Sequence, residues 1–301
     1  MIVDKTIPTY TGISLTIGSD IAINFYMDLT EDARQNGTMT FDIGGRSVTV
    51  DGKDVKFNQE VGKYYFQARL TALEMNETVT ATFNYNDTDY VQEYSVAEYI
   101  AEIVGNEDKY GDEAVALAKK IANYGHYAQT YLESIHKNVT IGDDGYAAMG
   151  KYGEVDIDAA KAAEALASYK VTVTGTSENV SLYGSTVYFD SATALNYYIT
   201  AKDGVAPTAT AVNTATGKSK DVEIKLYKNN IYIVSVKDIL ATELADDITV
   251  TVNSELTLNG SVFAYCKAVM NKDGQTEAAK NAMAAFYEYY EAAVEYAKTQ
   301  G

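Results

Sequence analysis

The amino-acid sequence predicts an α+β fold, built as two tandem, diverged copies of an antiparallel β-sandwich that is followed by a small α-helical cluster. The first observation is an internal repeat, in which four short stretches return in the same order at offsets of 163 to 172 residues. The second is that each copy places its strand-like stretches before its helical ones. The matching stretches are 19–27 with 191–199, 74–80 with 243–249, 95–99 with 261–265, and 124–127 with 287–290.

Alternating residues in the first copy predict strands with one buried face. Between Ile21 and Asp28, large apolar residues alternate with small or polar ones, which is the period of a half-buried strand. Gly44-Gly45 and Asp51-Gly52 supply turn residues, and several short strands with such turns predict an antiparallel sandwich. The further strands predicted in this copy are Thr38–Ile43, 47–50, Lys63–Leu70 and 78–85.

The predicted helices follow these strands in each copy. Ser95, with Glu98 three residues later, has the pattern of a capping box, and Gly105 is the predicted end of this short helix. Apolar and small residues at spacings of three and four predict a longer helix from about Asp112 to Glu133. The second copy repeats this plan, with helices predicted over 261–270 and 276–298.

A connector is predicted between the copies. The stretch 142–153 is rich in glycine, and Asp156 is predicted to cap an alanine-rich helix over 157–167 that packs against one or both copies. The predicted boundaries are therefore lobe 1 at 1–134, the connector at 135–168 and lobe 2 at 169–301.

The composition excludes several classes of function. The chain has 24 Lys plus Arg against 42 Asp plus Glu, and the net charge of −18 repels nucleic acids and anionic lipid surfaces. No apolar run reaches the roughly 20 residues that a membrane-spanning helix needs. The first residues lack the basic and apolar regions of a signal peptide, so the chain is expected to be cytosolic or a mature fragment.

Few residues are candidates for catalysis. Neither His126 nor His136 has a partner in the sequence that would make it a general base. The single cysteine, Cys266, stands where the first copy has Ile100, which favours a buried core residue over a nucleophile. The motifs of serine hydrolases, phosphate loops, dinucleotide sites and zinc peptidases are absent. We therefore predict that the protein is not an enzyme and uses no cofactor and no metal.

The acidic residues leave two alternatives open. A glycosidase needs only two carboxylates about 5 to 9.5 Å apart, and the sequence does not select a pair among its 42 acidic residues. Three acidic pairs could donate oxygens to calcium, but none has the twelve-residue loop with a terminal Glu, so solvated turns are favoured. These pairs are Asp87 with Asp89, Asp143 with Asp144, and Asp246 with Asp247.

Tyrosine is in excess, with 26 Tyr beside eight Phe and no Trp. A tyrosine ring can stack on the apolar face of a sugar while its hydroxyl bonds sugar hydroxyls or water. The helical stripe of Tyr124, Tyr127 and Tyr131 begins again in the second copy, which favours packing.

Two strand pairs are better candidates for a ligand site. Asn24 with Tyr26, and Asn196 with Tyr198, lie on the face opposite the apolar one in both copies, unless each copy's own helices cover that face. An amide beside an aromatic ring is suited to reading a sugar. The predicted ligand-binding residues, including tyrosines expected near loops, are Asn24, Tyr26, Tyr64, Tyr65, Tyr183, Tyr188, Asn196 and Tyr198.

The stretches 95–104 (SVAEYIAEIV) and 122–129 (ANYGHYAQ) resemble an extracellular module of dockerin-bearing and cell-surface proteins of gut anaerobes that degrade polysaccharides. The resemblance covers nearly the whole chain and implies a β-sandwich followed by helices. The two-lobed order is also similar to a starch-binding domain of starch-adherence proteins in amylosome complexes. The second copy departs from the helix motif at 285–290 (AFYEYY), and the resemblance carries over no binding residue.

The sequence therefore predicts a non-catalytic, extracellular or cell-surface glycan-binding protein. The resemblance favours an α-glucan such as starch or a maltooligosaccharide, bound through tyrosines in a groove at or between the two lobes. The alternative is a structural or protein-interaction module of a bacterial cell-surface assembly, with an enzyme as a third possibility. Neither nucleic acid nor membrane insertion is expected, and proteins of a surface complex are possible partners.

Overall fold

A computed structural model describes residues 7–135, 157–189 and 192–300, in which antiparallel strands precede helices twice along the chain. The strands of lobe 1 are β1 Thr9–Ile17, β2 Ile21–Asp28, β3 Thr38–Ile43, β4 Arg46–Asp51, β5 Lys56–Asn58, β6 Lys63–Leu70, β7 Val79–Tyr85 and β8 Thr88–Tyr94. Its helices are α1 Glu31–Asn36, α2 Val96–Val104, α3 Glu107–Tyr110 and α4 Asp112–Ile135.

The second half of the chain repeats this order after a short helix, α5 Ala159–Leu166. Its strands are β9 Thr172–Gly175, β10 Val180–Tyr188, β11 Ala194–Ala201, β12 Ala209–Asn213, β13 Ser219–Lys220, β14 Val222–Lys228, β15 Ile231–Val236, β16 Ile248–Val252 and β17 Leu256–Gly260. Its last helices are α6 Val262–Met270 and α7 Glu277–Thr299.

Each lobe contains two antiparallel sheets with corresponding strand orders. The first sheet of lobe 1 has the order β1-β2-β6-β5, and that of lobe 2 has the order β10-β11-β15-β14. The second sheets run β4-β3-β7-β8 and β13-β12-β16-β17-β9. Even the first hairpins agree, because a register shift lies between Tyr10 and Gly12 in lobe 1 and between Leu182 and Gly184 in lobe 2. The α+β class and the sandwich arrangement are thus as predicted, whereas descent from one duplicated unit stays a prediction.

Large apolar side chains close the space between the two sheets of lobe 1. The rings of Phe25 and Phe41 lie 5.7 Å apart, and those of Phe66 and Phe83 lie 5.6 Å apart, so each pair joins one sheet to the other. All four side chains are almost completely buried. Alternation along β2 therefore places its apolar face in the core and its polar face outside, as the sequence predicted.

Side-chain caps set the starts of the helices. The Ser95 hydroxyl accepts from the backbone N–H of Glu98 at 3.1 Å, and α2 ends at Gly105 as predicted. The Glu98 carboxylate accepts from the Ser95 hydroxyl, not from the backbone N–H that a capping box would use. One predicted cap was wrong: α5 begins at Asp158, which accepts from the N–H of Lys161, while Asp156 lies outside the described residues.

The two lobes contact each other through the long helices α4 and α7 and through the segments that precede β2 and β11. The Tyr124 ring on α4 stacks on Phe286 and Tyr289 of α7, with ring centroids 5.1 and 5.4 Å away. Its hydroxyl donates to the carbonyl of Phe189 at 3.0 Å. This stripe is packing, as predicted. The predicted domain boundaries stay a prediction, because the glycine-rich part of the connector lies outside the described residues.

Polar contacts strengthen the same interface. Lys120 of α4 donates to the Glu288 carboxylate of α7 at 2.9 Å, and the other oxygen of Glu288 accepts from the backbone N–H of Asp158 at 3.0 Å. The backbone N–H of Thr193 also donates to the carbonyl of Ser19 at 2.7 Å. Among the described helices, none is long and apolar enough to cross a lipid bilayer.

We expect Tyr124→Ala to lower the free energy of unfolding by about 3–5 kcal/mol, because it removes a buried ring between two others. Tyr124→Phe keeps the ring and removes the hydrogen bond to the Phe189 carbonyl, so its loss should be about 1–2 kcal/mol. Urea unfolding followed by circular dichroism measures both. Equal losses in the two variants would show that the stacked ring contributes nothing beyond its hydroxyl.

Candidate functional site

The predicted ligand residues are spread over both lobes, and the structure does not bring them into one groove. Asn24, Tyr26 and Tyr65 lie on the outer face of the first sheet of lobe 1, because they alternate with core residues of β2 and β6. Asn196 and Tyr198 occupy the corresponding outer face of β11 in lobe 2. The two pairs singled out in the sequence thus lie on separate surfaces.

Two of the predicted residues do not belong to either surface. Tyr64 is adjacent to Tyr65 in β6 and therefore points to the opposite side of the sheet. Its ring packs 4.9 Å from the ring of Phe57, and the Arg34 guanidinium lies 4.4 Å above it. Tyr183 lies at the register shift of β10 and is 69% exposed. Tyr64 thus packs within lobe 1, and a ligand role for Tyr64 and Tyr183 stays a prediction.

In lobe 1 the Asn24 amide on the outer face is engaged in hydrogen bonds within the sheet. The Asn24 amide nitrogen donates to the hydroxyls of Ser14 and Thr16 at 3.0 and 2.7 Å, and its oxygen accepts from Gln67 at 3.0 Å. Asn24 is 5% exposed as a result. Side chains of neighbouring strands, not of helices, hydrogen-bond to this amide.

The aromatic part of the same face is also engaged. The Tyr26 ring packs on the Tyr65 ring at 5.4 Å, and the Tyr26 hydroxyl accepts from Ser14 at 3.3 Å and from Asn58 at 3.2 Å. Lys56 lies 6.0 Å from the centroid of Tyr65. Lobe 1 therefore has the predicted pair of residues but offers little of either side chain to a ligand.

Strand register shows why lobe 2 differs. Asn24 lies opposite Ser14 and Gln67, and Asn196 lies opposite Thr186 and Ser235 in the same positions. Ser235 is too short to reach across the strand as Gln67 does. Tyr188, which pairs with Ala194, stands where lobe 1 has Thr16, which pairs with Ala22. Two of the three partners of the Asn24 amide are thus replaced in lobe 2, while Thr186 keeps a hydroxyl at the position of Ser14.

The Asn196 amide is consequently left for a ligand. Among the described residues, none hydrogen-bonds to its side chain, although it is only 9% exposed. The side-chain nitrogen and oxygen of Asn196 are not among the buried atoms without a partner, so they still reach solvent and can bind the hydroxyls of a ligand. The sequence repeat identified Asn196, but its amide is open because β10 carries Tyr188 and β15 carries Ser235 where lobe 1 has Thr16 and Gln67.

A concavity of about 400 Å³ surrounds this amide on the outer face of lobe 2. We call it the Asn196 concavity. The Tyr188 ring, 51% exposed, forms one wall. The remaining lining residues are Ala192, Ala194, Asn196, Glu223, Lys225, Ile233, Ser235 and Lys237.

Charged and aromatic groups border the concavity. Glu223 accepts from Lys225 at 2.6 Å and also from Lys237, and these hydrogen bonds lower the pKa of the Glu223 carboxyl. The three charges therefore partly neutralise one another. Beyond them, the Tyr198 ring meets the edge of the exposed Tyr227 ring at 5.5 Å. Sequence reasoning missed Tyr227, which only the pairing of β14 with β15 brings beside Tyr198.

A second cavity of about 400 Å³ lies between the lobes, where the sequence had placed a groove. Aliphatic side chains of β1, α2 and α4 form much of it, and α7 contributes Ala293, Tyr296 and Ala297. None of its lining residues is charged, and none is among the eight predicted ligand residues. Its polar lining side chains are few, chiefly Thr242 and Gln300 at the end of the chain's last helix, so this mainly apolar cavity suits a sugar less well than the Asn196 concavity does.

The candidate catalytic and metal residues form no site in the described part of the chain. Cys266 is buried, and burial raises the pKa of its thiol to about 12, so it is a neutral core residue at ordinary pH. The His126 ring packs edge-on against Tyr127. Within the described ranges, no group of three acidic, histidine or cysteine side chains could hold a metal ion. His136, Asp143 and Asp144 lie outside these ranges.

The comparisons with known proteins add no family. No protein-family model matches the chain, and no curated protein matches it significantly. The geometry of the two outer faces therefore carries the functional interpretation.

We expect Asn24→Ala and Asn196→Ala to differ in stability although the two residues occupy matching positions. Asn24→Ala removes three side-chain hydrogen bonds, to Ser14, Thr16 and Gln67, and should lower the free energy of unfolding by about 1–3 kcal/mol. Asn196→Ala removes no hydrogen bond of the described chain and should change it by less than about 0.5 kcal/mol. Urea unfolding of both variants checks this. Equal destabilisation would mean that the Asn196 amide is engaged within the protein.

Proposed function

We propose that the protein is a non-catalytic, extracellular or cell-surface glycan-binding protein whose ligand occupies the Asn196 concavity. The observation that carries the proposal is the open, nearly buried Asn196 amide beside the Tyr188 ring. In lobe 1 the matching amide is fully used by Ser14, Thr16 and Gln67. This contrast supports one glycan site in lobe 2.

The chemistry of the concavity suits a ligand with many hydroxyls and little charge. An amide donates and accepts at once, so it can bind two sugar hydroxyls, and the Ser235 hydroxyl beside it adds a third polar contact. The exposed Tyr188 ring provides an apolar surface for the C–H face of a sugar. The net charge of −18 disfavours a polyanionic ligand at long range.

An α-glucan is the first ligand to test, because the resemblance to starch-adherence proteins favours it. We expect isothermal titration calorimetry of the full chain to give heat with maltoheptaose and less or none with xylan or cellulose fragments. Heat with xylan or cellulose fragments and none with maltoheptaose would support glycan binding but contradict the assignment to an α-glucan. Absence of heat with all three would contradict glycan binding at this site.

Substitutions locate the site. Asn196→Ala should weaken binding of the active glycan about tenfold, since one or two hydrogen bonds are lost, and Tyr188→Ala should weaken it by a similar factor through lost ring contact. Tyr183→Ala is the matched control, because it removes an exposed tyrosine of the same strand that does not line the concavity. A loss of affinity in the control equal to that of Tyr188→Ala would place the ligand elsewhere.

A further inference from the structure

The first sheet of lobe 1 is incomplete along one edge, whereas its counterpart in lobe 2 is complete. In lobe 2, β14 pairs with β15 from Val222 opposite Val236 to Lys228 opposite Ile231. In lobe 1, β5 is three residues long and pairs with only Lys63, Tyr64 and Tyr65 of β6. Beyond Tyr65, β6 has a strand partner only on its β2 side.

Alignment of the two sheets shows which positions are vacant. Asn24 and Asn196 occupy matching places, so Phe66, Gln67 and Ala68 of β6 correspond to residues 234–236 of β15. In lobe 2 these three positions lie opposite Ile224, Glu223 and Val222. No strand of lobe 1 among the described residues lies opposite Phe66, Gln67 and Ala68 on this side.

A close backbone contact explains why lobe 1 leaves these positions vacant. The chain forms a 3₁₀ turn at Gly52–Asp54 before β5 begins. The N–H of Gly52 donates to the carbonyl of Gly37 at 2.8 Å, and a Cβ at residue 52 would lie only 2.6 Å from the carbonyl oxygen of Arg34. The turn is therefore held against the end of α1 and cannot run alongside residues 66–68.

The vacancy opens onto the core of the sandwich. A cavity of about 480 Å³ lies between β4 and β6, and core side chains form its floor. In lobe 2, Val222 and Ile224 are packed against the core at the matching positions. The apolar side chains lining the lobe 1 cavity are Phe41, Ile43, Val48, Val50, Phe66 and Ala68.

The charges at the vacancy also match those around the strand of lobe 2. Glu223 of β14 binds both Lys225 and Lys237. The matching residues of lobe 1 are Lys56, opposite Tyr65, and Arg69, which follows Ala68. Both line the cavity, as does Asp54, and Arg69 also pairs with Asp20 at 3.3 Å. Burial and the neighbouring Arg69 cation lower the pKa of the Lys56 ammonium, and Asp20 offsets only part of this, so a further acidic group between the two cations would be favourable.

We propose that lobe 1 binds an extended segment of a partner protein, which adds a short strand along Phe66–Ala68 and has the pattern apolar–acidic–apolar. The two apolar side chains enter the cavity as Val222 and Ile224 do in lobe 2, and the acidic side chain lies between Lys56 and Arg69. Backbone hydrogen bonds of an added strand supply affinity, and the alternating side chains supply specificity. Arg46 limits the length of the site, because it donates to the carbonyl of Arg69 at 3.0 Å.

The lobe 2 strand provides the probe. A fluorescein-labelled peptide with the sequence of residues 221–227, DVEIKLY, is titrated with the full chain and followed by fluorescence polarisation. We expect saturable binding of one peptide per chain. The same peptide with its Glu replaced by Lys should bind at least about tenfold more weakly, because it would add a third cation beside Lys56 and Arg69.

Charge reversal in the protein tests the location. Lys56→Glu combined with Arg69→Glu should weaken binding of the Glu peptide and restore binding of the Lys peptide. Lys228→Glu is the matched control, because it reverses a lysine of β14 in lobe 2 that lines neither cavity and should leave peptide affinity unchanged. Arg69 also pairs with Asp20 at 3.3 Å, so Lys56→Glu alone serves if the double variant unfolds.

Several results would overturn the proposal. These are no saturable binding of the Glu peptide, equal affinity for the Glu and Lys peptides, or loss of binding in the Lys228→Glu control. The glycan site is not involved, because the vacancy and the Asn196 concavity lie in different lobes, and calorimetry with glycans reports on the latter alone.

Discussion

The packing of α4 against α7 is the interaction on which the rest of the molecule depends. Each helix belongs to a different lobe. Within its own lobe α4 packs on α2 and the 3₁₀ turn at Ala72–Glu74, and α7 packs on α6 and the 3₁₀ turn at Ala241–Glu243, while aromatic side chains join the two helices. The stacked rings of Tyr124, Phe286 and Tyr289 fill the contact, and the Lys120–Glu288 pair lies beside them. Because these groups are buried or nearly so, separating the lobes would expose aromatic surface and leave polar groups unpaired.

A joined pair of similar lobes leaves the two outer sheet faces free to diverge. One Asn occupies the same register position in each lobe, yet its surroundings are opposite in character. In lobe 1 the amide is part of a closed set of hydrogen bonds that stabilises the sheet. In lobe 2, exchange of Thr for Tyr and of Gln for Ser at the neighbouring positions removes those partners and adds an exposed ring. A structural feature of one lobe becomes a candidate binding feature of the other.

The edges of the same sheets diverge in the reverse direction. In lobe 2 the edge strand is complete, and its Glu223 is held between Lys225 and Lys237. In lobe 1 the corresponding cations are present, but the strand that would carry the acid is shortened by the turn at Gly52–Asp54. Lobe 1 thus has an engaged outer-face amide and an incomplete sheet edge, whereas lobe 2 has an open amide and a complete edge. In each case the matching groups of the other lobe indicate which chemical groups a ligand would need.

Local patterns in the sequence predicted much of the fold. Alternation along β2, β3 and β6, the Ser95 cap, and the spacing along α4 each depend on residues close together in the chain, so they could be read directly. The strands β1, β5 and β8 were missed. In β1 and β5 exposed and buried residues do not alternate clearly, and in β8 they alternate but the residue types do not follow, because Val91 is exposed and Gln92 is half-buried. The cap at Asp158 was misplaced by two residues, since Asp156 is an equally good cap by residue type.

The sequence by itself determined that Asn24 and Asn196 face away from the core, because that follows from the period of a strand. Only the tertiary structure decided that the first amide is engaged and the second is open. That difference depends on Thr16, Gln67, Tyr188 and Ser235, which reach the two amides from neighbouring strands through the sheet register. The vacancy beside Phe66–Ala68 has the same origin, since the length of β5 depends on a turn held by the distant α1. Hydrogen bonds and strand partners are properties of the assembled sheet, and no single segment contains them.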